Sequence, residues 1–331
     1  MSSTVSHGLV CLLHDDPRGS FRSMRAGGIK QPYEITTEVR QKLASVYHDN
    51  VTRLEVLLRY ISELGFTSYR VSSALFPLMT HGVYADVAHE ILHNEIFDRL
   101  DCVDTYGVEL STHPGQFTML TSLNDSVNEN SIAELEMWAT IAKHLPINLV
   151  NIHGGALRDG FDVHRRIFDK NVNRLSPEAR HLLSLENDEK SYSASKISSL
   201  CVEHGLMMVL DYHHERCYQH RVNGFNRTST DTTLAAMDML GTALSTYKGR
   251  VASPLAHLSS PLGGWSDPNF KNLCAHADYI DPDDYPSELM DEGLKDKLER
   301  VGHTRLRLDI EAKHKQTAIC QLNEWKTSHG H

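Results

Sequence analysis

The sequence predicts a single parallel α/β barrel of the TIM (β/α)8 type, and three observations support this fold class. Strand-like runs of apolar or β-branched residues alternate with helix-like segments eight times, as in a chain of βα units. The 331 residues fit one barrel, and no linker rich in Pro, Gly or Ser divides them. Histidines and carboxylates repeatedly follow the strand-like runs. We therefore expect residues 1–331 to form one domain, with a metal cluster at the C-terminal rim of the strands.

The predicted strands are short apolar and β-branched runs that end in polar residues. The first is His7–Leu13, and seven more follow at 67–71, 107–112, 147–152, 182–185, 206–210, 254–256 and 306–310. The predicted helices carry apolar residues at helical spacing and lie near 38–64, 127–144, 194–204 and 230–247. Gly65 and Gly205 follow two of these segments, where glycine commonly ends a helix.

Composition is that of an ordinary globular protein, and the cysteine usage favours an intracellular, cytoplasmic location. The six cysteines include no CxxC pair, which is typical of reduced cytosolic thiols. The sequence shows no signal peptide and no apolar run of membrane-spanning length, so we expect no membrane association. The formal net charge of −10 taken alone argues against nucleic acid as a partner. Two or three bound divalent ions would reverse that argument locally, at the active face.

The strongest local motif is Asp211-Tyr-His-His214, which directly follows five apolar residues. Packing does not explain an acid and two imidazoles at the end of a buried strand, so we predict that Asp211 and His214 bind metal. Glu186 and Glu311 also end apolar strands, and a carboxylate in this position can bridge two cations. We predict Glu186, Asp211 and Glu311 as the catalytic carboxylates. The alternative for the two glutamates is a buried side chain that is satisfied by hydrogen bonds alone.

Histidines complete the predicted ligand set. His113 and His153 each follow a strand, and glycines after them allow the backbone to approach a ligand closely. The histidines at 81, 257 and 276 are weaker candidates, because each of them could instead have a structural role. The full set of predicted metal ligands is His81, His113, His153, Glu186, Asp211, His214, His257, His276 and Glu311.

The type of ligand indicates the metal. The chain contains 21 histidines, roughly twice the usual share, and histidine is a common metal ligand. A mixed His, Asp and Glu set without cysteine favours Mn²⁺, Zn²⁺ or Fe²⁺. We expect two or three divalent ions, with Mn²⁺ as the leading choice. Such clusters typically activate water and stabilise a leaving oxyanion, most often in phosphodiester hydrolysis.

Side chains beyond the strand ends are predicted to contact DNA. A Pro-Gly turn makes Gln116 and Phe117 project beyond strand three, where an aromatic beside an amide suits insertion into a base stack. The predicted phosphate contacts are arginines of the loops after strands one and six, namely Arg18, Arg22, Arg25 and Arg216. The alternative for these arginines is an ordinary place in a solvated loop.

With these motifs in this order, the chain resembles the UV damage endonucleases, barrel enzymes related to the endonuclease IV type of apurinic nuclease. The resemblance covers residues from about 36 to 320. Its markers are TyrArgValSerSer with PheProLeuMetThrHis (69–81), HisProGlyGlnPhe (113–117), IleHisGlyGly (152–155), LeuGluAsnAspGlu (185–189), AspTyrHisHis (211–214), HisLeuSerSer (257–260), AlaHisAlaAspTyrIle (275–280) and GluAlaLysHisLys (311–315).

The resemblance implies a monomeric, metal-dependent DNA-repair endonuclease that nicks damaged double-stranded DNA immediately 5′ of UV photoproducts, with abasic sites as a further substrate class. It implies that Gln116 and Phe117 wedge into the duplex while the damaged dinucleotide flips out. It also implies a three-metal site. One ion would be held by His113, His153 and Glu186, and a second would be surrounded by Glu186, Asp211, His257 and Glu311. The third would lie near His214 and His276, with His81 at the edge of the site.

Two positions depart from the family pattern. The family usually has a lysine two positions before the strand-seven histidine and a tyrosine after the first-strand glycine, whereas this chain has Leu255 and Leu9. These differences and the acidic balance slightly favour an alternative, a small-molecule metal enzyme on the same scaffold, such as a sugar isomerase or an oxygenase. The pair Gln116 and Phe117 and the arginine-rich loops argue against this alternative. A third reading, a non-catalytic damage-binding protein, does not require so many metal ligands.

Overall fold

A computed structural model describes residues 4–26, 35–115, 117–223 and 239–328, and its strands form a closed barrel. All strand pairs are parallel and follow chain order around the barrel. The strands are β1 (Val5–Val10), β2 (Ser68–Ser72), β3 (Glu109–His113), β4 (Ile147–His153), β5 (Leu183–Glu186), β6 (Met207–Asp211), β7 (Leu255–Leu258) and β8 (Leu306–Ile310). Strand β1 pairs with both β2 and β8, which closes the sheet. The TIM-barrel fold predicted from the sequence is therefore confirmed.

Helices connect successive strands on the outside of the barrel. In the described ranges they are α1 (Thr37–Glu63), α2 (Ala85–Ile91), α3 (Phe97–Leu100), α4 (Asp125–Ile141), α5 (Phe161–Val172), α6 (Pro177–Leu182), α7 (Ala194–His204), α8 (Tyr212–Asn223), α9 (Leu240–Ser245), α10 (Phe270–Cys274), α11 (Gly293–Arg300) and α12 (Lys315–Ser328). A π-helical turn, Leu92–Ile96, joins α2 to α3. None of the helices in these ranges is both long and apolar enough to cross a membrane.

Helix α1 shows how the sequence produces these elements. The Thr36 side chain accepts a hydrogen bond from the Val39 backbone N–H at 3.3 Å and so caps the first turn. Residues at helical spacing, among them Leu54 and Leu58, are buried against the barrel. The helix stops before Gly65, which has a φ of +78°. The observed helix therefore lies within one residue of the predicted boundaries at each end.

Two boundaries differ from the sequence-based prediction. Strand β1 ends at Val10 rather than at Leu13, because Cys11 turns the chain with a φ of +63°. The predicted helix near 230–247 is described only in part: α9 covers Leu240–Ser245, and residues 224–238 lie outside the described ranges. The extent of the single domain over residues 1–331 stays a prediction.

The inside of the barrel is unusually polar below the strand ends. Ser68 of β2 donates to Asp309 of β8 at 3.2 Å, and both side chains are fully buried. Gly8 of β1 lies against this pair, and a Cβ there would overlap the Asp309 carboxylate, so the close approach of β1 requires glycine. The main apolar core lies instead between the strands and the surrounding helices, around residues such as Trp138 and Leu57.

Candidate metal centre

Six of the predicted ligands come together at one end of the barrel. Because the strands are parallel, their carboxyl ends all lie at the same rim. The side chains at or just after these ends are His113 (β3), His153 (β4), Glu186 (β5), Asp211 (β6), His257 (β7) and Glu311 (β8). His214 joins them from the first turn of α8. The barrel thus brings together residues that are up to about two hundred positions apart in the chain.

The first group of possible ligands consists of His113, His153 and Glu186. One donor atom of each lies within 4.8 Å of the other two. His113 Nε2 is 3.5 Å from Glu186 Oε2, and the two imidazole rings are 4.9 Å apart. His153 Nδ1 is buried and has no hydrogen-bond partner in the described part of the protein. A buried nitrogen of this kind is expected to have a partner, and a cation would provide one.

The second group is formed by Glu186, Asp211 and His214, again with donor atoms within 4.8 Å of one another. His214 Nδ1 lies 3.4 Å from Glu186 Oε1 and 3.5 Å from Asp211 Oδ2. The His214 backbone N–H donates to Asp211 Oδ1 at 2.7 Å, which holds the turn from β6 into α8. The short spacing of the AspTyrHisHis motif therefore brings donor atoms of Asp211 and His214 close enough together to hold one ion.

The third group is Asp211, His257 and Glu311. His257 Nδ1 lies 3.4 Å from Glu311 Oε1, 3.8 Å from Asp211 Oδ2 and 3.1 Å from Glu186 Oε1. Glu186 and Asp211 each belong to two groups, so the three groups form one continuous site. This arrangement suits carboxylates that bridge neighbouring cations.

Without bound ions, burial and the neighbouring carboxylates shift the pKa values of the histidines in this site in opposite directions. Burial lowers the pKa of His153 to about 4, which keeps this imidazole neutral and able to bind metal. Burial also acts against protonation of His257, but Glu186 and Glu311 outweigh it and raise the pKa of His257 to about 9. Burial raises the pKa of Asp211. Buried carboxylates without enough positive charge nearby are costly, and divalent cations would supply that charge.

Buried polar atoms without hydrogen-bond partners give a further test of whether the site suits divalent cations. Besides His153 Nδ1, Asp211 Oδ2 lacks a hydrogen-bond partner among the described residues. The donor set of imidazole nitrogens and carboxylate oxygens is the one that Mn²⁺, Zn²⁺ and Fe²⁺ accept. The residues present therefore fit a cluster of divalent cations.

The two remaining histidine candidates, His276 and His81, lie outside the three ligand groups, and only His276 is close to them. His276 Nδ1 lies 3.7 Å from Glu311 Oε2, at the edge of the continuous site, and its ring is 6.3 Å from that of His214. His81 is exposed, its Nδ1 accepts from the Val83 N–H at 3.4 Å, and its ring tilts against Tyr84. Among the described residues, none of the ligand groups includes His81. Its predicted place at the edge of the metal site stays a prediction.

Sequence analysis missed three residues that hold the ligands in place. Arg70 of β2 forms an ion pair with Glu311. Asn151 donates to Glu186 Oε2, and Asn187 both donates to the Asp211 carbonyl and accepts from the Asp211 N–H, each at 2.9 Å. Arg70 and Asn151 lie inside predicted strands, where a polar residue in an apolar run was the available signal.

The two departures from the family pattern lie in apolar packing. Leu255 contacts a small cluster that includes Met207, Val209 and Tyr247, below the rim of the barrel. Leu9 is fully buried in the main core. Neither leucine adds a donor atom to the metal centre, and neither is exposed on the face that carries it.

Predicted DNA contacts differ in their exposure. Phe117 is 75% exposed beyond β3, as expected for a side chain that can enter a base stack, whereas Gln116 lies outside the described residues. Arg25 is exposed in the loop after β1. Arg18 and Arg22 are also at the surface, and each forms an ion pair, with Asp16 and with Asp49 respectively.

Arg216 does not have the surface position that was expected of a phosphate contact. Its side chain is fully buried in α8, with Nη1 3.2 Å from Asp284 Oδ1 and Nη2 donating to the Asp284 carbonyl at 2.7 Å. The guanidinium also faces the Trp265 ring. The sequence placed Arg216 in a polar loop, but the chain continues as a helix whose inner face carries this arginine. Its contacts are those of an internal brace.

Comparison with known proteins agrees with the geometry. The profile of the UV-endonuclease UvdE family matches residues 5–329. A UV DNA damage endonuclease of Bacillus pumilus is 31% identical over 217 residues, which cover 64% of this chain and 62% of that protein. One of Bacillus velezensis is 29% identical over 297 residues, which cover 87% of this chain and 83% of that protein.

Solved structures share the fold at low identity. SacUVDE matches with a TM-score of 0.70 and 19% identity, over 98% of this chain and 99% of that one. Endonuclease IV from Thermus thermophilus matches with a TM-score of 0.53 and 15% identity, over 97% and 98%. The profile match over nearly the whole length confirms the resemblance seen in the motifs: the chain belongs to the UV-endonuclease UvdE family.

Proposed function

We propose that this protein is a metal-dependent DNA-repair endonuclease that nicks the phosphodiester immediately 5′ of UV photoproducts. The observation that carries the proposal is the continuous set of ligands around Glu186 and Asp211 at the rim of the barrel. Membership of the UV-endonuclease family supports the reaction class, and the relatives named UV DNA damage endonuclease support the type of substrate. Damaged double-stranded DNA is the proposed partner, and abasic sites are the second lesion to test.

In this proposal two or three divalent cations, with Mn²⁺ as the first choice, are held by the residues of the three groups. Cations held in this way activate water and stabilise a leaving oxyanion. Glu186, Asp211 and Glu311 are the proposed catalytic carboxylates, since they combine the most contacts to other ligands with deep burial. Arg70 fixes the Glu311 carboxylate, and His153 is kept neutral by burial.

The proposed DNA contacts surround this centre. Phe117, with Gln116 beside it, inserts into the base stack next to the lesion, since a largely exposed aromatic has little other reason to project from the rim. Arg18, Arg22 and Arg25 contact phosphates from the loop after β1. We propose that the protein acts as a monomer and in the compartment that holds DNA.

The test uses purified protein with added Mn²⁺ and a labelled duplex that carries one site-specific cyclobutane dimer. We expect a nick immediately 5′ of the dimer that a chelator abolishes. Glu186→Gln should reduce nicking at least about a hundredfold and lower the metal content, because it removes a ligand charge shared by two groups. Zn²⁺ and Fe²⁺ are compared with Mn²⁺ in the same assay.

Glu203→Gln is the matched control. Glu203 lies on α7 in another group of Asp, Glu and His, with Asp169 and His204, but on the outside of the barrel. This variant should nick as the wild type does. If metal-loaded wild-type protein leaves the dimer duplex intact, the repair function is wrong, and a small-molecule substrate on this scaffold becomes the better hypothesis. The net charge of −10 and the apolar residues Leu9 and Leu255 are the observations that favour that alternative.

A further inference from the structure

Lys315 has an unusual backbone at the edge of the metal centre. It is the first residue of α12 and follows Glu311, the ligand after β8, by four positions. Its φ is +47°, in the left-handed region that glycine adopts readily and a lysine rarely does. Backbone strain of this kind tends to persist where the side chain serves a functional site. The position therefore calls for an explanation from the side chain.

The Lys315 side chain is half-buried at the start of α12, next to the end of β8 that carries Glu311. Burial lowers the pKa of its ammonium group, with the Cys11 thiol and the Glu311 carboxylate opposing this effect and the Arg70 guanidinium adding to it. These three neighbours place the ammonium beside the β8, β1 and β2 side of the rim. Cys11 itself has a φ of +63°, so a second residue with a strained backbone lies on this side of the rim.

The cation has no anionic partner of its own. Arg70 already forms the ion pair with Glu311. Neighbouring Lys313 is exposed and lies 3.9 Å from Asp278. Among the described residues, none of the hydrogen bonds or ion pairs involves the Lys315 ammonium. A half-buried ammonium that loses water and has no carboxylate in ion-pair contact can bind an incoming anion.

The surrounding segment is held together without Lys315. The Gln316 side chain accepts from the His14 N–H at 2.7 Å and donates to the His14 carbonyl at 2.8 Å. The His14 and His314 rings stack at 4.0 Å. The loop after β1 is thus fastened to the start of α12 by the residues on both sides of Lys315. These contacts do not involve the Lys315 ammonium group.

We propose that Lys315 is a DNA-binding residue whose ammonium contacts a backbone phosphate lying over the β8–β1 edge of the metal centre. The inference rests on the proposed nuclease function. The DNA backbone approaches a protein of net charge −10, so a cation beside the metal centre favours binding, and the half-buried Lys315 at the start of α12 can supply one. The contact is to the phosphate group and carries no base specificity.

The test compares Lys315→Met and Lys315→Arg with wild type, and uses Lys313→Met as a matched control from the same segment. Binding of the dimer duplex to metal-loaded protein is measured over a series of salt concentrations. Lys315→Met should weaken binding about tenfold and reduce the slope of log affinity against log salt by about one. Damaged and undamaged duplexes should lose affinity equally, metal content should stay unchanged, and Lys315→Arg should restore most of the affinity.

Lys315→Gly separates a binding role from a structural one. Glycine adopts the left-handed backbone without strain, so this variant should have a higher Tm than wild type while it binds DNA as weakly as Lys315→Met. If Lys315 had a structural role instead, Lys315→Gly would lower both the Tm and the DNA affinity.

The inference is overturned if wild type cuts the duplex while Lys315→Met keeps the full salt slope, or if Lys313→Met has the same effect. Wild-type protein that neither binds nor cuts the duplex overturns the proposed function, and this inference with it.

Discussion

Glu186 is the residue on which most contacts of the metal centre converge. Its Oε2 faces His113 and accepts from Asn151, while its Oε1 lies within 3.5 Å of both His214 and His257. A carboxylate with both oxygens surrounded by ligands can connect two cations, whereas a glutamine has only one oxygen to offer. This difference is the physical basis of the Glu186→Gln test.

Phe117 is expected to act on lesion recognition alone. Because its side chain is 75% exposed, Phe117→Ala should change the free energy of unfolding by less than about 0.5 kcal/mol. Loss of a stacking contact should reduce the preference for damaged over undamaged duplex about tenfold. Competition binding and urea unfolding measure the two effects. Val202→Ala, an exposed apolar residue of α7, should leave the preference intact. If Phe117→Ala kept the wild-type preference for damaged duplex, the proposed insertion of Phe117 into the base stack would be wrong.

Arg216 should contribute to stability rather than to DNA binding. Its removal in Arg216→Met leaves Asp284, which is also buried and accepts from Trp265 at 2.6 Å, without its cation. Loss of one partner of a buried ion pair costs about 3–5 kcal/mol. Urea unfolding of this variant and of Arg25→Met, which changes an exposed arginine, measures the difference. If both variants unfold like the wild type, Arg216 is not the internal brace that its contacts indicate.

At the level of elements, the packing of β1 on α12 contains a buried neutral histidine. His7 of β1 bonds to Asn323 of α12 at 2.6 Å and lies 3.2 Å from the Tyr285 hydroxyl. Burial, with repulsion from Lys326, lowers the pKa of His7 from 6.5 to about 4. The folded state therefore resists a proton that the unfolded chain accepts. The stability that comes from burying neutral His7 is fully present above pH 6.5 and is lost as the pH falls towards 4.

Because of His7, we expect the free energy of unfolding to fall by up to about 3 kcal/mol between pH 6.5 and 4. His7→Gln should be less stable than wild type at pH 8 but should lose less stability on acidification. Urea unfolding at several pH values, with chelator present so that metal ligation does not contribute, measures the effect. His93→Gln, which changes an exposed histidine, should keep the wild-type dependence. An unaltered pH dependence in His7→Gln would rule out this origin.

For the whole molecule, binding of divalent cations at the metal centre should increase the stability of the fold. Glu186, Asp211 and Glu311 are buried close together, and ions held between them would bind only the folded barrel. Free Mn²⁺ at a hundred times its Kd should therefore stabilise the protein by about 3 kcal/mol, and chelation should lower the Tm by several degrees. Calorimetry with and without chelator checks this. A Tm that does not respond to Mn²⁺, Zn²⁺ or Fe²⁺ would contradict the proposed cluster.

The sequence by itself determined the class of fold and where in each strand the ligands stand. Alternation of apolar runs with helical periodicity reports burial and local geometry, and these are properties of neighbouring residues. Parallel strands all end at one rim, so His113, His153, Glu186, Asp211 and His257 could be assigned to one site before any distance was known. The motifs also sufficed to recognise the family, which the profile match then confirmed.

Only the tertiary structure decided which atoms face one another. The sharing of Glu186 between two ligand groups, the pairing of Arg70 with Glu311 and the exposure of His81 depend on the register and closure of the barrel. The same holds for Arg216, which reads as a loop residue but lies inside the protein. A local pattern records how each segment is buried, whereas distances between remote residues are set by how the strands pair around the whole ring.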